Sequence, residues 1–199
     1  MARLASRRRN LCIRGPGNIA IACVPKVAHT SIKHAVLASL NYPFDRYHPA
    51  LRLCHADEAA AQNYKIFAFV RDPFDRLVSI WANLVFEGRP GVLRRTRAKS
   101  GMSFAAFVME CITPQVLKMD IHVAEQSSFI PDQAIILRYE TIKNGWAEIQ
   151  KVWPGLVRLE RFNASTRGDI QEYETPELMQ KCHDLYAIDY QRFGYNSEV

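Results

Sequence analysis

The sequence has 199 residues and lacks the features that identify several classes of protein. It has no apolar run near the roughly 18 residues that a membrane-spanning helix needs. Its start, MARLASRRRNLCIRGPG, has a basic stretch but no apolar h-region of a signal peptide behind it. We therefore expect neither a transmembrane helix nor a secretory signal. The five cysteines are odd in number and form no C-x-x-C pair, which excludes a complete disulfide framework and the usual zinc-site spacing. Buried free thiols in a reducing compartment are expected instead.

Acidic residues are absent before Asp45, and this absence explains the high net charge. The chain has 26 Lys and Arg against 20 Asp and Glu, but five arginines precede Asp45, and the remainder has 21 basic and 20 acidic side chains. Because a nucleic-acid-binding domain usually has a basic face on its folded body, nucleic acid is disfavoured as a partner. Residues 1–17 are predicted to be a basic flexible tail before a single domain at 18–199. An organelle-targeting peptide is the alternative interpretation of this Arg-rich start.

The remaining chain alternates short apolar runs with amphipathic segments, and this order predicts the fold class. Buried strands are predicted at residues 18–24 and 64–70, and a third strand at 133–139. Helices are predicted at 30–40, 73–86, 144–152 and 175–192. Thr30 is the predicted N-cap of the first helix, and Asp72 that of the second, with Pro73 at its first position. Strands alternating with helices predict an α/β fold, with a mostly parallel central sheet flanked by helices in a single domain.

A first motif, VPKVAHTSIK at Val24–Lys33, follows the first predicted strand and opens the first helix. Ligands of parallel sheets lie beyond the carboxyl ends of the strands. Backbone N–H groups at a helix start favour an anion, and Lys26 adds a full positive charge there. The segment is not a Walker A loop, because it contains no glycine. An ordinary strand-to-helix turn with a solvated lysine is the alternative interpretation.

A second motif, FAFVRDPFDRLVSIW, has Arg71 at the carboxyl end of the second strand and Ser79 in the helix that follows. The planar guanidinium of arginine can bind two oxygens of a phosphate at once. The alternative is a structural pair of Arg71 with Asp72, with Asp75 and Arg76 on a solvated helix face. Since both motifs follow predicted parallel strands, they are expected to face one crevice.

Taken together and in this order, the two motifs resemble those of sulfotransferases that use 3′-phosphoadenosine 5′-phosphosulfate (PAPS), especially the carbohydrate sulfotransferases. Val24–Lys33 is similar to the family's 5′-phosphosulfate loop, and VRDPFDRLVS at residues 70–79 is similar to its 3′-phosphate site. The resemblance covers roughly residues 18–195 and implies a P-loop-like sulfotransferase fold. Its later segments are Asp120-x-His122-x-x-x-Gln126, Arg138–Ile142, Asn163–Ser165 and Tyr186 to Tyr195.

The resemblance implies transfer of a sulfuryl group from PAPS to a hydroxyl of a carbohydrate or other acceptor, without a metal. Lys26 would stabilise the departing phosphate, while Arg71 and Ser79 would bind the 3′-phosphate. The residues implied for the 5′-phosphosulfate loop are Pro25, Lys26, Val27, Ala28, His29, Thr30 and Ser31. The residues implied to assist at the 3′-phosphate are Asn163, Ser165 and Arg167. An exposed polar turn is the alternative for that last loop.

The acceptor hydroxyl needs a general base, and histidine has a pKa near neutral. His48 lies 23 residues before Arg71, close to the spacing in relatives that use histidine, and is the first candidate. His55 is the second candidate, and Glu58 is kept because some relatives use glutamate. A surface or packing role is the alternative for each histidine. The residues implied to contact the acceptor are His122 and Gln126.

Two departures from the family pattern keep other functions open. His29 stands where the family usually has a small residue, and Ile32 stands where relatives often have a tryptophan that stacks on adenine. The alternatives are a non-catalytic glycan- or nucleotide-binding relative, an ATP-using P-loop kinase and a basic nucleic-acid module. Typical Golgi members of the family have a membrane anchor, whereas this sequence has no apolar run of that length. We therefore expect a soluble cytoplasmic protein of bacterial or viral type, or a truncated Golgi member.

Overall fold

The computed structural model describes residues 11–86, 88, 95–160 and 169–195, and its fold is mixed α/β, as predicted. The chain forms two compact units. The first unit is Met1–Arg71 with Ser128–Ala164, and the second is Asp72–Ser127 with Ser165–Val199. All strands of the described residues belong to the first unit.

A five-stranded sheet forms the core of the first unit. Its strands are β1 (Leu11–Arg14), β2 (Ile19–Ala22), β3 (Leu53–His55), β4 (Lys65–Val70) and β5 (Ile135–Arg138). They lie side by side in the order β3-β1-β2-β4-β5. β2, β4 and β5 pair in parallel, whereas β1 pairs antiparallel with both β2 and β3. All strands except β1 therefore point in the same direction.

The folded chain begins earlier than predicted. The predicted tail at residues 1–17 is wrong for Leu11–Arg14, which form β1 between β2 and β3. Cys12 and Ile13 have no exposed surface, because both neighbouring strands and the packed faces of the sheet cover them. The sequence pattern misleads here because the strand lies between a basic stretch, Arg7–Arg9, and the turn-forming Gly15-Pro16-Gly17.

Eight helices lie in the described ranges, and two of them continue into wider π-helical turns. They are α1 (His29–Ser39), α2 (Ala56–Ala61), α3 (Pro73–Trp81, continued by Ala82–Phe86), α4 (Phe104–Ala106, continued by Phe107–Cys111), α5 (Pro114–Met119), α6 (Ile142–Val152), α7 (Pro176–Leu185) and α8 (Ala187–Phe193).

Helices α1, α2 and α6 belong to the first unit. In α1, Ile32, Ala35 and Val36 are buried, as their helical spacing predicts. α6 approaches the sheet closely at Gly145, where an added Cβ would lie 2.8 Å from Cε1 of Phe69. Only glycine fits this position, so α6 can pack directly on β4.

Helices α3, α4, α5, α7 and α8 form the second unit. α3 starts as predicted, because the Asp72 carboxylate accepts a hydrogen bond from the N–H of Asp75 at 2.9 Å and Pro73 takes the first position. The single helix predicted at 175–192 is instead two helices, α7 and α8, which meet at Tyr186. An aromatic cluster stabilises the core of this unit: the Trp81 ring centroid lies 5.8 Å from that of Phe104 and 5.4 Å from that of Tyr173.

Within the part of the chain that the structure describes, no helix combines the length and hydropathy of a membrane span. All five cysteines are free thiols, four of them buried and Cys23 partly exposed. Burial, with smaller effects of Cys23 and Cys54, raises the pKa of the Cys12 thiol far above its usual range. Cys12 therefore acts as a small packing residue rather than a reactive thiol.

Candidate functional site

The carboxyl ends of four strands lie along one edge of the sheet, because β2, β3, β4 and β5 point in the same direction. Residues 25–31 follow β2, Arg71 follows β4 and Tyr139 follows β5. His55 is the last residue of β3. This edge is where parallel sheets place their ligands.

The loop between β2 and α1 has an unusual backbone. Lys26 and Ala28 have φ values of 65° and 50°, in the left-handed region, which costs a non-glycine residue roughly 1–2 kcal/mol. A left-handed residue followed by a helical one points successive N–H groups into one concavity that suits an anion. Ala28 directly precedes α1, and the first turn of α1 has neither a side-chain cap nor an acidic residue to bind its N–H groups.

The side chains of this loop differ in exposure. The buried ones are Pro25, Val27 and Ser31, and the partly exposed ones are Lys26, Ala28, His29 and Thr30. The sequence predicted Thr30 as the N-cap of α1, and this prediction is wrong. α1 begins at His29 after the N-cap Ala28, so Thr30 lies in its first turn. The buried residues anchor the loop, whereas Lys26, His29 and Thr30 are partly exposed to solvent.

Arg71 is held beside this loop at the end of β4. Its Nη1 donates to the backbone oxygen of Lys26 at 3.4 Å, and its guanidinium carbon lies 4.5 Å from the centre of the Tyr139 ring. Only 4% of Arg71 is exposed, so these contacts fix the direction of a largely buried cation. Lys26 and Arg71 therefore lie next to each other at the sheet edge.

Tyr139 also lies at this edge, and no individual role was predicted for it from the sequence. β4 and β5 are parallel, and Val70 of β4 pairs with Arg138 of β5. The residues that follow the two strands, Arg71 and Tyr139, are therefore neighbours. The signal was present in the sequence, because Tyr139 follows the third predicted strand just as Arg71 follows the second. It requires knowledge that these two strands are adjacent.

His48 makes a hydrogen bond that determines where its proton lies. Its Nδ1 accepts from the backbone N–H of Ala50 at 3.1 Å, so the neutral ring carries its proton on Nε2. The ring also packs on Tyr42, with 4.5 Å between the centroids. A general base needs a nitrogen whose lone pair faces the hydroxyl. In this geometry His48 instead presents an N–H donor.

His55 ends β3 at the same sheet edge as the loop after β2. It pairs with Leu11, whose backbone oxygen accepts from the N–H of Cys23 at 2.7 Å. His55 is therefore two strand spacings, about 10 Å, from the residue that precedes the loop. Its ring is partly exposed and does not cap α2. The carboxylate of Glu58, the third base candidate, pairs with Arg14.

In the second unit, α3 carries both Ser79 and Arg76. Ser79 is 8% exposed and Arg76 only 1%. Nη2 of Arg76 donates to the backbone oxygen of His122 at 3.1 Å. The interpretation of Arg76 as a solvated helix residue is therefore wrong, because its guanidinium is a hydrogen-bonded interior group of the second unit.

His122 is bound to a buried carboxylate. Oδ1 of Asp120 accepts from the backbone N–H of His122 and lies 2.9 Å from its ring Nδ1. Burial tends to raise the pKa of Asp120, but the hydrogen bonds and charge of His122, with the charge of Arg95, lower it below its usual value. An ionised Asp120 favours a proton on Nδ1 of His122, so the carboxylate orients the imidazole ring.

Gln126 lies in the interior of the second unit and is 0% exposed. Its backbone N–H and that of Ser127 donate to the carboxylate of Asp189 at 2.7 and 2.8 Å. The predicted contact of Gln126 with an acceptor disagrees with this burial, because no part of its side chain reaches the surface. The segment is instead a structural turn held by Asp189.

Three further predicted site residues, Asn163, Ser165 and Arg167, lie outside the described residues. Ile32 is 1% exposed and packs in the first unit, so its side chain is not positioned to stack on an aromatic ligand. Residues 11–86, 88, 95–160 and 169–195 contain no group of three or more His, Cys, Asp or Glu that could hold a metal ion.

The described edge of the first unit combines the Lys26 and Arg71 side chains with the N–H groups at the start of α1. Two cations and an uncapped helix start favour a ligand with anionic groups. The strained backbone at Lys26 and Ala28 supports this interpretation, because such strain persists where a loop must keep a particular shape.

Comparison with known proteins gives one family match. A sequence model of the sulfotransferase family matches residues 9–196. A search of curated proteins and a search of solved structures each found no significant match. The matched range starts before β1, in agreement with a folded chain from Leu11 onward.

Proposed function

Because the chain belongs to the sulfotransferase family, we propose that it transfers a sulfuryl group from PAPS to a hydroxyl of a carbohydrate acceptor. The family establishes the chain as an enzyme of the sulfotransferase class, and enzymes of this class generally use PAPS as the donor. The carbohydrate acceptor and the residues that bind each substrate are part of the proposal.

One observation carries the assignment of the donor site. Arg71 and Lys26 meet at the sheet edge, where Nη1 of Arg71 lies 3.4 Å from the backbone oxygen of Lys26. PAPS has anionic groups at two positions of one ribose, and binding both needs two cationic groups close together. This proximity supports a P-loop-like donor site with the 5′-phosphosulfate at the loop after β2 and the 3′-phosphate at Arg71.

The residues of the loop have distinct proposed roles. Lys26 stabilises the charge that develops on the departing phosphate, and the N–H groups of residues 28–30 with the Thr30 hydroxyl hold its oxygens. Arg71 binds the 3′-phosphate through its fork of N–H donors. Ser79 and the loop with Asn163, Ser165 and Arg167 assist at this phosphate by resemblance to the family.

The proposed reaction is an in-line displacement at sulfur. The acceptor oxygen forms a bond to sulfur while the bond from sulfur to the bridging phosphate oxygen breaks, and adenosine 3′,5′-bisphosphate (PAP) leaves. The acceptor proton passes to a general base. As in phosphoryl transfer, positioning and charge stabilisation by the protein supply the rate acceleration.

For the base, local geometry favours His55 over His48, the first candidate from the sequence. His48 offers Nε2–H as a donor while its Nδ1 accepts from Ala50, whereas His55 lies at the carboxyl edge with a partly exposed ring. Glu58 ranks third because it pairs with Arg14. His55→Ala is expected to abolish most transfer with PAP affinity retained, and His48→Ala is expected to keep measurable turnover.

The proposal is tested first by ligand-induced stabilisation. A ligand that binds only the folded state raises the unfolding temperature in proportion to its occupancy. PAP is expected to stabilise the protein more than ATP with magnesium does, and the opposite order would support a kinase. Transfer of labelled sulfate from PAPS to a panel of glycans, lipids and phenols then identifies the acceptor. PAP binding without transfer to any acceptor would indicate a non-catalytic relative.

A further inference from the structure

A short segment between α1 and β3, residues 42–48, displays three aromatic side chains to solvent. Tyr42, Phe44 and Tyr47 are 48%, 42% and 68% exposed. Single exposed apolar side chains are common on proteins, but three aromatic rings within six residues concentrate apolar surface in one place. We call residues 42–48 the aromatic segment.

The backbone of the aromatic segment is ordered by its own hydrogen bonds. The N–H of Tyr42 donates to the Leu37 oxygen at 2.9 Å, and the N–H of Tyr47 donates to Oδ1 of Asp45 at 2.9 Å. The N–H of His48 donates to the Asp45 backbone oxygen at 3.1 Å. A backbone that is already ordered adds no loop-ordering cost when the segment binds a ligand. The exposed rings therefore project from a preorganised backbone.

Lys33 connects the aromatic segment to the loop after β2. Its Nζ donates to the backbone oxygen of Arg46 at 3.0 Å and lies 5.6 Å from the centre of the Tyr47 ring. Lys33 lies four residues after His29, the first residue of α1. Its contacts therefore hold Arg46 and Tyr47 about one helical turn beyond the start of α1, the helix that follows the proposed donor loop.

We propose that the aromatic segment binds a saccharide ring of the acceptor, with the sugar stacked on Tyr47 and a sugar hydroxyl accepting from Nε2–H of His48. This inference rests on the proposed function and adds the surface that selects the acceptor. A sugar ring has an apolar C–H face and a rim of hydroxyls, and an aromatic ring beside an N–H donor matches both. The tautomer of His48, with its proton on Nε2, suits this donor role. The same tautomer does not suit a general base, which needs a free lone pair to accept the proton.

The test compares Tyr47→Ala with Tyr47→Phe, which keeps the ring. The substrates are PAPS and neutral and acidic hexasaccharides, with a small phenol as a non-sugar acceptor. For the hexasaccharide that the wild type sulfates fastest, Tyr47→Ala is expected to raise KM about tenfold, equivalent to about 1.4 kcal/mol. The kcat, the KM for PAPS and the stabilisation by PAP are expected to stay unchanged. Tyr47→Phe is expected to behave like the wild type.

Two controls separate this surface from general effects. Phe44→Ala is a second variant in the aromatic segment and is expected to raise the hexasaccharide KM in the same direction. Ile188→Ala removes an exposed apolar side chain of α8, 56% exposed, and is expected to leave every constant unchanged. Circular dichroism confirms that each variant is folded.

The possible outcomes distinguish this inference from the proposed function. If PAP does not stabilise the wild type and no acceptor is sulfated, the proposed function is wrong and this inference is wrong with it. If PAP binds and phenols or lipids are sulfated but no hexasaccharide is, the donor site of the proposed function stands, whereas its carbohydrate acceptor and this inference are wrong. This inference is also wrong if Tyr47→Ala leaves the hexasaccharide KM unchanged, or if it changes only the oligomeric state in light scattering, which would make the surface an interface between copies.

Discussion

The carboxyl edge of the first unit and the interior of the second unit both contain basic side chains from recognisable motifs, yet their partners differ. We call Lys26, Arg71 and Tyr139 the edge cluster, and Arg76, Asp120, His122 and Asp189 the interior cluster. In the interior cluster, Arg76 donates to a carbonyl, Asp120 pairs with His122 and Asp189 accepts from two N–H groups. In the edge cluster, the Arg71 guanidinium lies against the backbone oxygen of Lys26 and the ring of Tyr139, and the helix start that follows Lys26 has no side-chain cap.

The difference shows how one motif can divide its residues between two roles. Arg71 and Arg76 are five residues apart in the same stretch of sequence, and both are almost fully buried. Arg76 binds a backbone carbonyl, which stabilises the fold. Arg71 contacts the backbone carbonyl of Lys26 and the face of the Tyr139 ring, at the carboxyl edge of the sheet. The partners of a side chain, rather than its place in a motif, therefore decide its role.

The largest expected effect is the loss of transfer on removing the Lys26 charge. Lys26→Ala is expected to lower kcat by about 10²–10³, the typical cost of removing one preorganised charge-stabilising group. Lys65→Ala is the matched control, because Lys65 is exposed at the opposite end of β4. Single-turnover transfer from labelled PAPS measures both. Equal transfer rates for the two variants would contradict the role of Lys26 in stabilising the departing phosphate.

The next effect concerns stability and involves the interior cluster. Arg76→Ala is expected to lower the free energy of unfolding by about 2–4 kcal/mol, because it deprives the His122 carbonyl of this donor and leaves a cavity. Chemical denaturation measures the change, with Arg71→Ala expected to lose less. A stable Arg76→Ala protein that no longer binds PAP would show that Arg76 belongs with the edge cluster.

A smaller effect is expected at Tyr139, the aromatic support of Arg71. Tyr139→Ala is expected to weaken PAP binding about two- to fivefold, the equivalent of an ordinary cation–π contact. Tyr139→Phe keeps the ring and is expected to bind PAP like the wild type. Titration calorimetry compares the three proteins. An unchanged affinity in Tyr139→Ala would mean that Arg71 needs no orientation by the ring.

The smallest effect is a pH dependence in the interior cluster. The folded-state pKa of Asp120 lies below its usual value of 3.8, so the ionised carboxylate stabilises the fold at neutral pH. This contribution is present above the usual value and is lost as the pH falls through the lowered pKa. Asp120→Asn is therefore expected to be less stable than the wild type at pH 7, with the difference shrinking in acid. Denaturation midpoints across pH measure it, and a difference that grows in acid would contradict the assignment.

The sequence predicted the parts of the fold that repeat a strong local pattern. β2, β4 and β5 lie within the three predicted strands, because each lies in an apolar run that local sequence identifies. β2 and most of β4 are buried, whereas Ile135 and Ile136 of β5 are 38% and 37% exposed. β1 and β3 do not lie in such longer apolar runs, because Asn10 and Gly15 flank β1 and Arg52 precedes β3. The two strands pair with each other, so tertiary context decides their conformation.

The candidate site divides in the same way. The loop after β2 and Arg71 are recognisable from strand–loop–helix order, which local sequence determines. The protonation geometry of His48 depends on the N–H of Ala50, and the burial of Gln126 depends on Asp189, 63 residues further along the chain. Motif spacing contains no information on either contact, so the sequence alone could not include them in the roles predicted for His48 and Gln126.

The most direct test of the central claim, a donor held at the Lys26 loop and at Arg71, is a calorimetric comparison of two nucleotides. PAP carries a 3′-phosphate, and adenosine 5′-monophosphate lacks it. Arg71→Ala is expected to weaken PAP binding about 10- to 100-fold, the cost of losing hydrogen bonds to a charged group, and to leave the monophosphate affinity unchanged. Equal losses for both nucleotides, or no loss for either, would contradict the claim that Arg71 binds the 3′-phosphate.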